Sequence, residues 1–220
     1  MIVTFGGKNF EIIGDDLNDI LLPFKAEGKV DLTIDLKAQN YDSYEDKTRF
    51  VYATVSKYLF GVDVPRIHSS AVIYNGNAYA FIAPSGTGKS THAMLWNKLA
   101  KAEYINDDQP YYKMGEQIVV YPSPWSGKHK RYSTSSAPLK AFIVIKQAKQ
   151  NKIYKVDKKS ALSYLYKQIV QHDEDELRIK MLEYMQKIVE QIPFYVLECD
   201  ASKLAFITCF EEVTGEKYEN

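Results

Sequence analysis

Ala83-Pro84-Ser85-Gly86-Thr87-Gly88-Lys89-Ser90-Thr91-His92 is the stretch from which the rest of the chain can be read. It follows the apolar run Ala78-Tyr79-Ala80-Phe81-Ile82 and opens a segment, Ala93 to Ala102, with helix-like spacing. A strand, a glycine-rich turn and a helix start form the context of a phosphate-binding loop. Backbone N–H groups in such a turn converge on phosphate oxygens, and the helix N-terminus adds partial positive charge. Ser85, Gly86, Thr87, Gly88, Lys89, Ser90 and Thr91 are therefore the expected ATP contacts. Lys89 would reach the β- and γ-phosphates, and the Ser90 hydroxyl would sit on Mg²⁺. The usual pattern opens on glycine. Ala83 takes that place here, which a tight turn tolerates if its φ stays negative.

Upstream, Ser70 to Tyr74 and Ala78 to Ile82 flank Asn75-Gly76-Asn77, and Asn-Gly between apolar runs is a hairpin signal. The strand feeding the loop is thus expected to be the second arm of an antiparallel hairpin, in a mixed sheet. Downstream of the loop helix, Tyr104-Ile105 ends in Asn106-Asp107-Asp108-Gln109-Pro110. Adjacent carboxylates repel, so their proton affinities separate; one suits a metal contact and the other a base. The residues alone do not assign which, and an Asp-Asp turn before proline is also ordinary loop composition.

A second hairpin is expected from Tyr111-Tyr112-Lys113 and Ile118 to Tyr121. The loop Pro122 to Arg131 follows, with Trp125 to Arg131 as the candidate substrate-side segment. Lys128, Lys130 or Arg131 could supply the cation for developing charge. Lys128 is preferred because Gly127 permits close backbone approach; the plain alternative is a solvated basic loop. Leu139 to Ile145 reads as a buried strand paired with Lys152 to Val156. Asp157 caps a helix through Val170, and the acidic run Asp173 to Glu176 opens another that Pro193 stops. A strand, Phe194 to Leu197, and a helix ending at Gly215 complete a core of residues 65–220. Residues 1–64 read as a small α+β appendage with strands at Ile2–Phe5, Phe10–Ile13 and Val30–Ile34 and a helix over Lys47–Phe60.

With 45% hydrophobic and 25% charged residues, the 220-residue chain can bury a core. Lys+Arg and Asp+Glu are both 28, so there is no basic field and nucleic acid is not an expected partner. The N-terminus lacks a signal-peptide pattern and no apolar run reaches membrane-spanning length, so the expected setting is the cytoplasm without a membrane partner. Cys199 and Cys209 lack metal-site spacing and read as small core residues.

The stretch from Ile67-His68-Ser69-Ser70 to Asp108 resembles the kinase core shared by HPr kinase/phosphorylase and ATP-dependent PEP carboxykinase. That group combines a His before a hairpin, a Ser-Gly-x-Gly-Lys-Ser/Thr loop and a later Asp-Asp pair. Pro124-Trp125-Ser126-Gly127-Lys128 and Pro138-Leu139-Lys140-Ala141 look like the compact bacterial relatives of HPr kinase. The resemblance implies an α/β fold leaning to α+β: a mixed-sheet P-loop kinase core with flanking helices. It implies ATP and Mg²⁺, Asp107 as base, Asp108 with Ser90 toward the metal, and His68 orienting the base or contacting phosphate. The reaction implied is transfer of the γ-phosphoryl group to a serine-type hydroxyl of a peptide, protein or small molecule, with a homo-oligomer left open. The glycine- and arginine-rich C-terminal segment by which HPr kinases engage their protein substrate does not occur in the sequence. Two rival readings are an ATP-binding regulatory module without transfer and PEP carboxykinase-like decarboxylation.

Overall fold

Gly6 and Gly7, at φ of 58° and 75°, turn β1 (Ile2–Phe5) back onto β2 (Lys8–Ile13) with Phe5 opposite Lys8. Two positive-φ residues are what a tight hairpin turn demands, and glycine supplies them without a Cβ clash. The computed structural model describes residues 1–14, 16–39, 41, 43–127, 129–170 and 174–219. After α1 (Asn18–Leu21) and a single turn of 3₁₀ helix at Leu22–Phe24, β3 (Leu32–Asp35) joins β2 in parallel. The helix α2 (Tyr44–Gly61) lays Val51, Val55 and Leu59 against Val3, Phe5, Phe10 and Ile12. It starts before the expected Lys47 because the Ser43 side chain accepts a hydrogen bond from the Asp46 amide. Gly61 is its last residue, and the positive φ beyond it falls on Asp63.

The main sheet begins with β4 (Ser70–Tyr74) and β5 (Asn77–Ile82), joined by Asn75 at φ 46° and Gly76 at φ 72°. There follow α3 (Lys89–Ala100), β6 (Glu103–Asn106), β7 (Tyr111–Lys113), β8 (Val119–Tyr121) and β9 (Ala137–Gln147). The chain closes with β10 (Lys152–Lys155), α4 (Lys158–Tyr166), α5 (Asp175–Gln191), β11 (Phe194–Cys199) and α6 (Lys203–Thr214). The strand order is β10-β11-β9-β5-β4-β6, with the β7–β8 hairpin attached to the start of β9 through β8. β5 is antiparallel to β4 on one side and parallel to β9 on the other, so the sheet is mixed, as the Asn-Gly turn implied.

One expected pairing is corrected. Lys152 to Val156 does not pair with Leu139 to Ile145. β11 lies between them, parallel to β9 with Phe194 opposite Phe142, and β10 pairs antiparallel to β11. The reason is burial: Phe194, Val196 and Leu197 are enclosed by both faces, whereas β10 carries lysines at both ends and suits an edge.

Each face of the sheet has its own core. On one face α4 and α5 place Leu165, Met185 and Ile188 over Phe142, Val144 and Phe194. On the other, α3 and α6 meet around Trp96, whose ring stands 4.8 Å from Tyr79, 5.4 Å from Phe210 and 5.8 Å from Phe206. The Asp157 cap is present, with the Ser160 amide donating to Oδ1 at 2.7 Å, and Gly215 ends α6 at φ 75°. Of the acidic run, Asp173 lies outside the described residues, while Asp175 and Glu176 occupy the first turn of α5. Cys199 and Cys209 are free and buried. Among the described residues no helix is long and apolar enough to cross a membrane.

Trp96 holds the helix that carries the glycine-rich loop, so Trp96→Ala should cost about 3–5 kcal/mol. This would be read as a fall in the urea midpoint at unchanged m-value. A loss below about 1 kcal/mol would show that α3 is anchored by other contacts.

Candidate functional site

Gly86 at φ 77° and Gly88 at φ 117° bend the chain from β5 into α3. A Cβ built on either meets no atom within 4 Å, so glycine is required there by the backbone and the space over the loop is open. Ala83, buried at the loop entrance, keeps its φ out of the positive region, which is the condition for alanine at that place. The Thr87 amide bonds Pro84 O at 3.3 Å, but the amides of Gly86, Gly88, Lys89 and Ser90 have no acceptor among the described residues. They form a row of unsatisfied donors at a helix N-terminus. Lys89 Nζ, buried, donates to Ala83 O at 3.0 Å. Burial pulls its pKa down, and the charge of Asp108 partly opposes that.

The acidic pair is shaped by Asn106, the buried last residue of β6. Its Oδ1 accepts from the amides of Asp108 at 2.8 Å and Gln109 at 2.6 Å, and its Nδ2 donates to Ser123 O at 2.9 Å and Trp125 O at 3.2 Å. One side chain thus turns the chain after β6 and ties it to the loop after β8. Asp107 is buried; the Gly127 amide donates to its Oδ1 at 2.7 Å, and its Oδ2 has no partner. A Cβ at position 127 would stand 3.3 Å from Asp107 Oδ1, so glycine lets the amide approach this closely. The Asp107 backbone carbonyl accepts from Ser90 Oγ at 3.4 Å, which brings the pair against the first turn of α3.

Asp108 has a different environment. His68 Nε2 lies 3.0 Å from Oδ1, and Gln109 Nε2 donates to Oδ2 at 2.9 Å. Burial pushes the proton affinity of both carboxyls up. For Asp107 burial prevails over the Gly127 hydrogen bond, with the neighbouring Asp108 charge adding to it, and its pKa is raised. For Asp108 burial is outweighed by the hydrogen bonds from His68 and Gln109 and by the charges of His68 and Lys89, and its pKa is lowered. The separation expected of neighbouring carboxylates is present, and it has a direction: Asp107 binds a proton more readily, and Asp108 stays ionised.

A cavity of about 600 Å³ unites these parts. Ser85, Gly86, Gly88, Lys89, Ser90 and Thr91 line one side, and His68, Asp107, Asp108 and Gly127 the other. Thr87 stands apart from the other expected loop contacts, facing two smaller cavities beside the loop. Lys128 lies outside the described residues. Of the alternatives in its loop, Arg131 holds its guanidinium 5.5 Å from the Tyr104 ring centre, and Lys130 lines an adjoining cavity. Trp125 packs its ring 5.3 Å from Phe5 and 5.1 Å from Tyr52, docking the N-terminal strands on the core. His92 packs on Phe81 at 5.0 Å with neither ring nitrogen hydrogen-bonded; burial depresses its pKa to about 3, so it is neutral.

Sequence reasoning passed over Gln109, Arg66 and Tyr52. Tyr52, on α2, donates to Gln109 Oε1 at 3.2 Å. The Arg66 guanidinium bonds the same oxygen and lies 4.7 Å from the Tyr52 ring centre. The N-terminal helix thereby reaches Asp108 through Gln109. Tyr52 and Gln109 are 57 residues apart, so no local spacing signals the contact.

No protein-family model matches the sequence, and no curated protein does. Among solved structures, the HPr(Ser) kinase/phosphatase from Coxiella burnetii aligns at a TM-score of 0.39 and 9% identity, over 68% of this chain and 93% of that one. At those values it is a distant structural likeness and no more.

Asp107→Asn removes a charge that burial opposes. A carboxyl whose folded pKa is raised destabilises the folded state above that pKa, and the penalty vanishes below the unfolded value. The variant should therefore melt higher than the parent at pH 7, by about 2–4 °C for each kcal/mol relieved. The gap should close below about pH 4. A lower melting temperature at pH 7 would show that Asp107 is ionised at no cost.

Proposed function

We propose that the chain is an ATP-dependent kinase that transfers the γ-phosphoryl group to a hydroxyl. The observation that carries this reading is one cavity faced by both halves of the chemistry. Unsatisfied amides at Gly86, Gly88, Lys89 and Ser90 lie on one side, and the buried, unpartnered Oδ2 of Asp107 on the other. It is also the reaction class implied by the family resemblance carried by Ile67 to Asp108 and by the Pro124–Lys128 and Pro138–Ala141 stretches.

The chain's own groups divide the work. The loop amides hold phosphate oxygens, and Lys89 leaves Ala83 O to neutralise the β- and γ-phosphates. Asp107, the carboxyl of higher proton affinity, takes the acceptor's hydroxyl proton while the new O–P bond forms, the bond to the β-phosphate oxygen breaks and ADP departs. His68 and Gln109 keep Asp108 anionic and oriented. Among the described residues no three His, Cys, Asp or Glu side chains could enclose a metal ion. A hydroxyl and one or two carboxylates beside a phosphate site nonetheless fit Mg²⁺, which keeps several waters and takes the rest of its shell from phosphate. Ser90 and Asp108 would hold it, and its charge would offset that on the transferring group.

The test is incubation with γ-labelled ATP and a panel of hydroxyl compounds and serine peptides. Lys89→Ala should lower kcat by about 10²–10³-fold. The acid limb of the pH–rate profile should lie above the ordinary aspartate value of 3.8, because the base must be deprotonated. Full activity in Lys89→Ala would overturn the reading. ATP binding by the parent with no label transferred would favour a regulatory module.

A further inference from the structure

A second cavity, of about 670 Å³, adjoins the first, and Asp108, Ser126 and Gly127 line both. Its outer wall belongs to α2, whose Tyr44, Thr48 and Tyr52 follow at four-residue intervals with Arg49 beside them. Across from these stand Trp125, Lys130 and Tyr132 of the loop after β8. The volume falls within the range of about 300–1,000 Å³ that holds small molecules. The cavity opens on the site at the edge where Gly127 donates its amide to Asp107. An acceptor seated in it would bring a hydroxyl over that edge to the base.

The walls also say what kind of molecule fits. Arg49 has only a 3.9 Å pairing with Asp46, and both side chains are largely exposed, so it is held weakly. Lys130 has no ion-pair partner among the described residues. Of the cavity's two carboxylates, Asp19 on α1 already accepts the Tyr44 hydroxyl at 3.0 Å on both oxygens, and Asp108 is engaged by His68 and Gln109. A weakly paired Arg49, a Lys130 without an ion-pair partner among the described residues, two carboxylates already engaged and aromatic rings favour a ligand with a negative group and a flat or apolar body. We propose that this cavity is the acceptor site and that it takes a small hydroxy acid, its carboxylate held by Arg49 and Lys130 and its hydroxyl turned to Asp107. The proposal rests on the kinase reading and narrows its acceptor. Transfer is to the hydroxyl oxygen, with the proton passing to Asp107 and ADP leaving.

The chain has two tryptophans; Trp96 is sealed in the core and Trp125 lines this cavity, so quenching of Trp125 reports binding without turnover. The 220-residue chain is titrated with glycerate and phenyllactate, with glycerol and phenylpropanediol as counterparts lacking the carboxylate, and with a serine tripeptide amide. The same compounds are then offered with γ-labelled ATP. The acids should quench and accept label at least about tenfold more efficiently than the alcohols or the peptide. Arg49→Gln and Lys130→Gln should each raise the KM for the acid about tenfold and leave the KM for ATP unchanged. Equal or better use of the alcohols or the peptide, or an unmoved KM for the acid in both variants, would overturn the proposal. Quenching by the acids with label transferred to nothing would support the cavity and overturn the kinase reading. Label on the peptide alone, with no quenching by the acids, would do the reverse.

Discussion

The hydrogen bond from the Gly127 amide to the Asp107 carboxylate is the constraint on which the site depends. It joins the segment after β6 to the loop after β8 at a point where a side chain on residue 127 would crowd the oxygen. It satisfies one oxygen of a buried carboxylate and leaves the other bare. A carboxylate so placed is costly to ionise and correspondingly eager for a proton. Its neighbour, one residue on, is held in the opposite condition by His68 and Gln109. Two chemically identical side chains thus differ in proton affinity through their surroundings: burial prevails at Asp107, and hydrogen bonds with the charges of His68 and Lys89 prevail at Asp108.

The fold supports this pair from several directions. β4 and β6, adjacent in the sheet, bring His68 beside Asp108, while the backbone of His68 is bound to Gln168 O at 2.9 Å, after α4. The parallel pairing of β5 with β9 buries the strand that feeds the loop, and Trp96 fastens the helix that leaves it. The N-terminal strands and α2 contribute too: Tyr52 bonds Gln109, and Ser56 Oγ lies 2.9 Å from the Tyr111 hydroxyl. Such contacts give residues far from the loop in sequence a physical means of acting on it.

What could be read from the sequence follows the range of the forces involved. Gly86, Gly88 and Asn75-Gly76 declare themselves because backbone conformation is local, and each takes the positive φ its residue type advertises. The Asp107-Asp108 pair is visible by position after the loop helix, but the residues themselves do not give the sense of its asymmetry, which only the family resemblance implied, since His68 and Gly127 come from distant elements. Strand order was legible for hairpins and failed for β10, because nothing within Lys152 to Lys155 announces that a more apolar strand forty residues later will take the inner place. The Tyr52–Gln109–Arg66 contacts were hidden for the same reason. Trp125, conspicuous for its loop, serves largely to pack one layer on another.

The lysine ammonium at Ala83 O also bears on the charge balance at the loop. The amides of Gly86, Gly88, Lys89 and Ser90, without acceptors among the described residues, put partial positive charge at the start of α3, and a bare ammonium beside them would add to the repulsion. Bonding to the Ala83 carbonyl gives the cation a local negative partner. On the proposed kinase reading, an anion at the loop would have to outcompete that carbonyl, which would favour polyanions able to engage both amides and ammonium over singly charged ions.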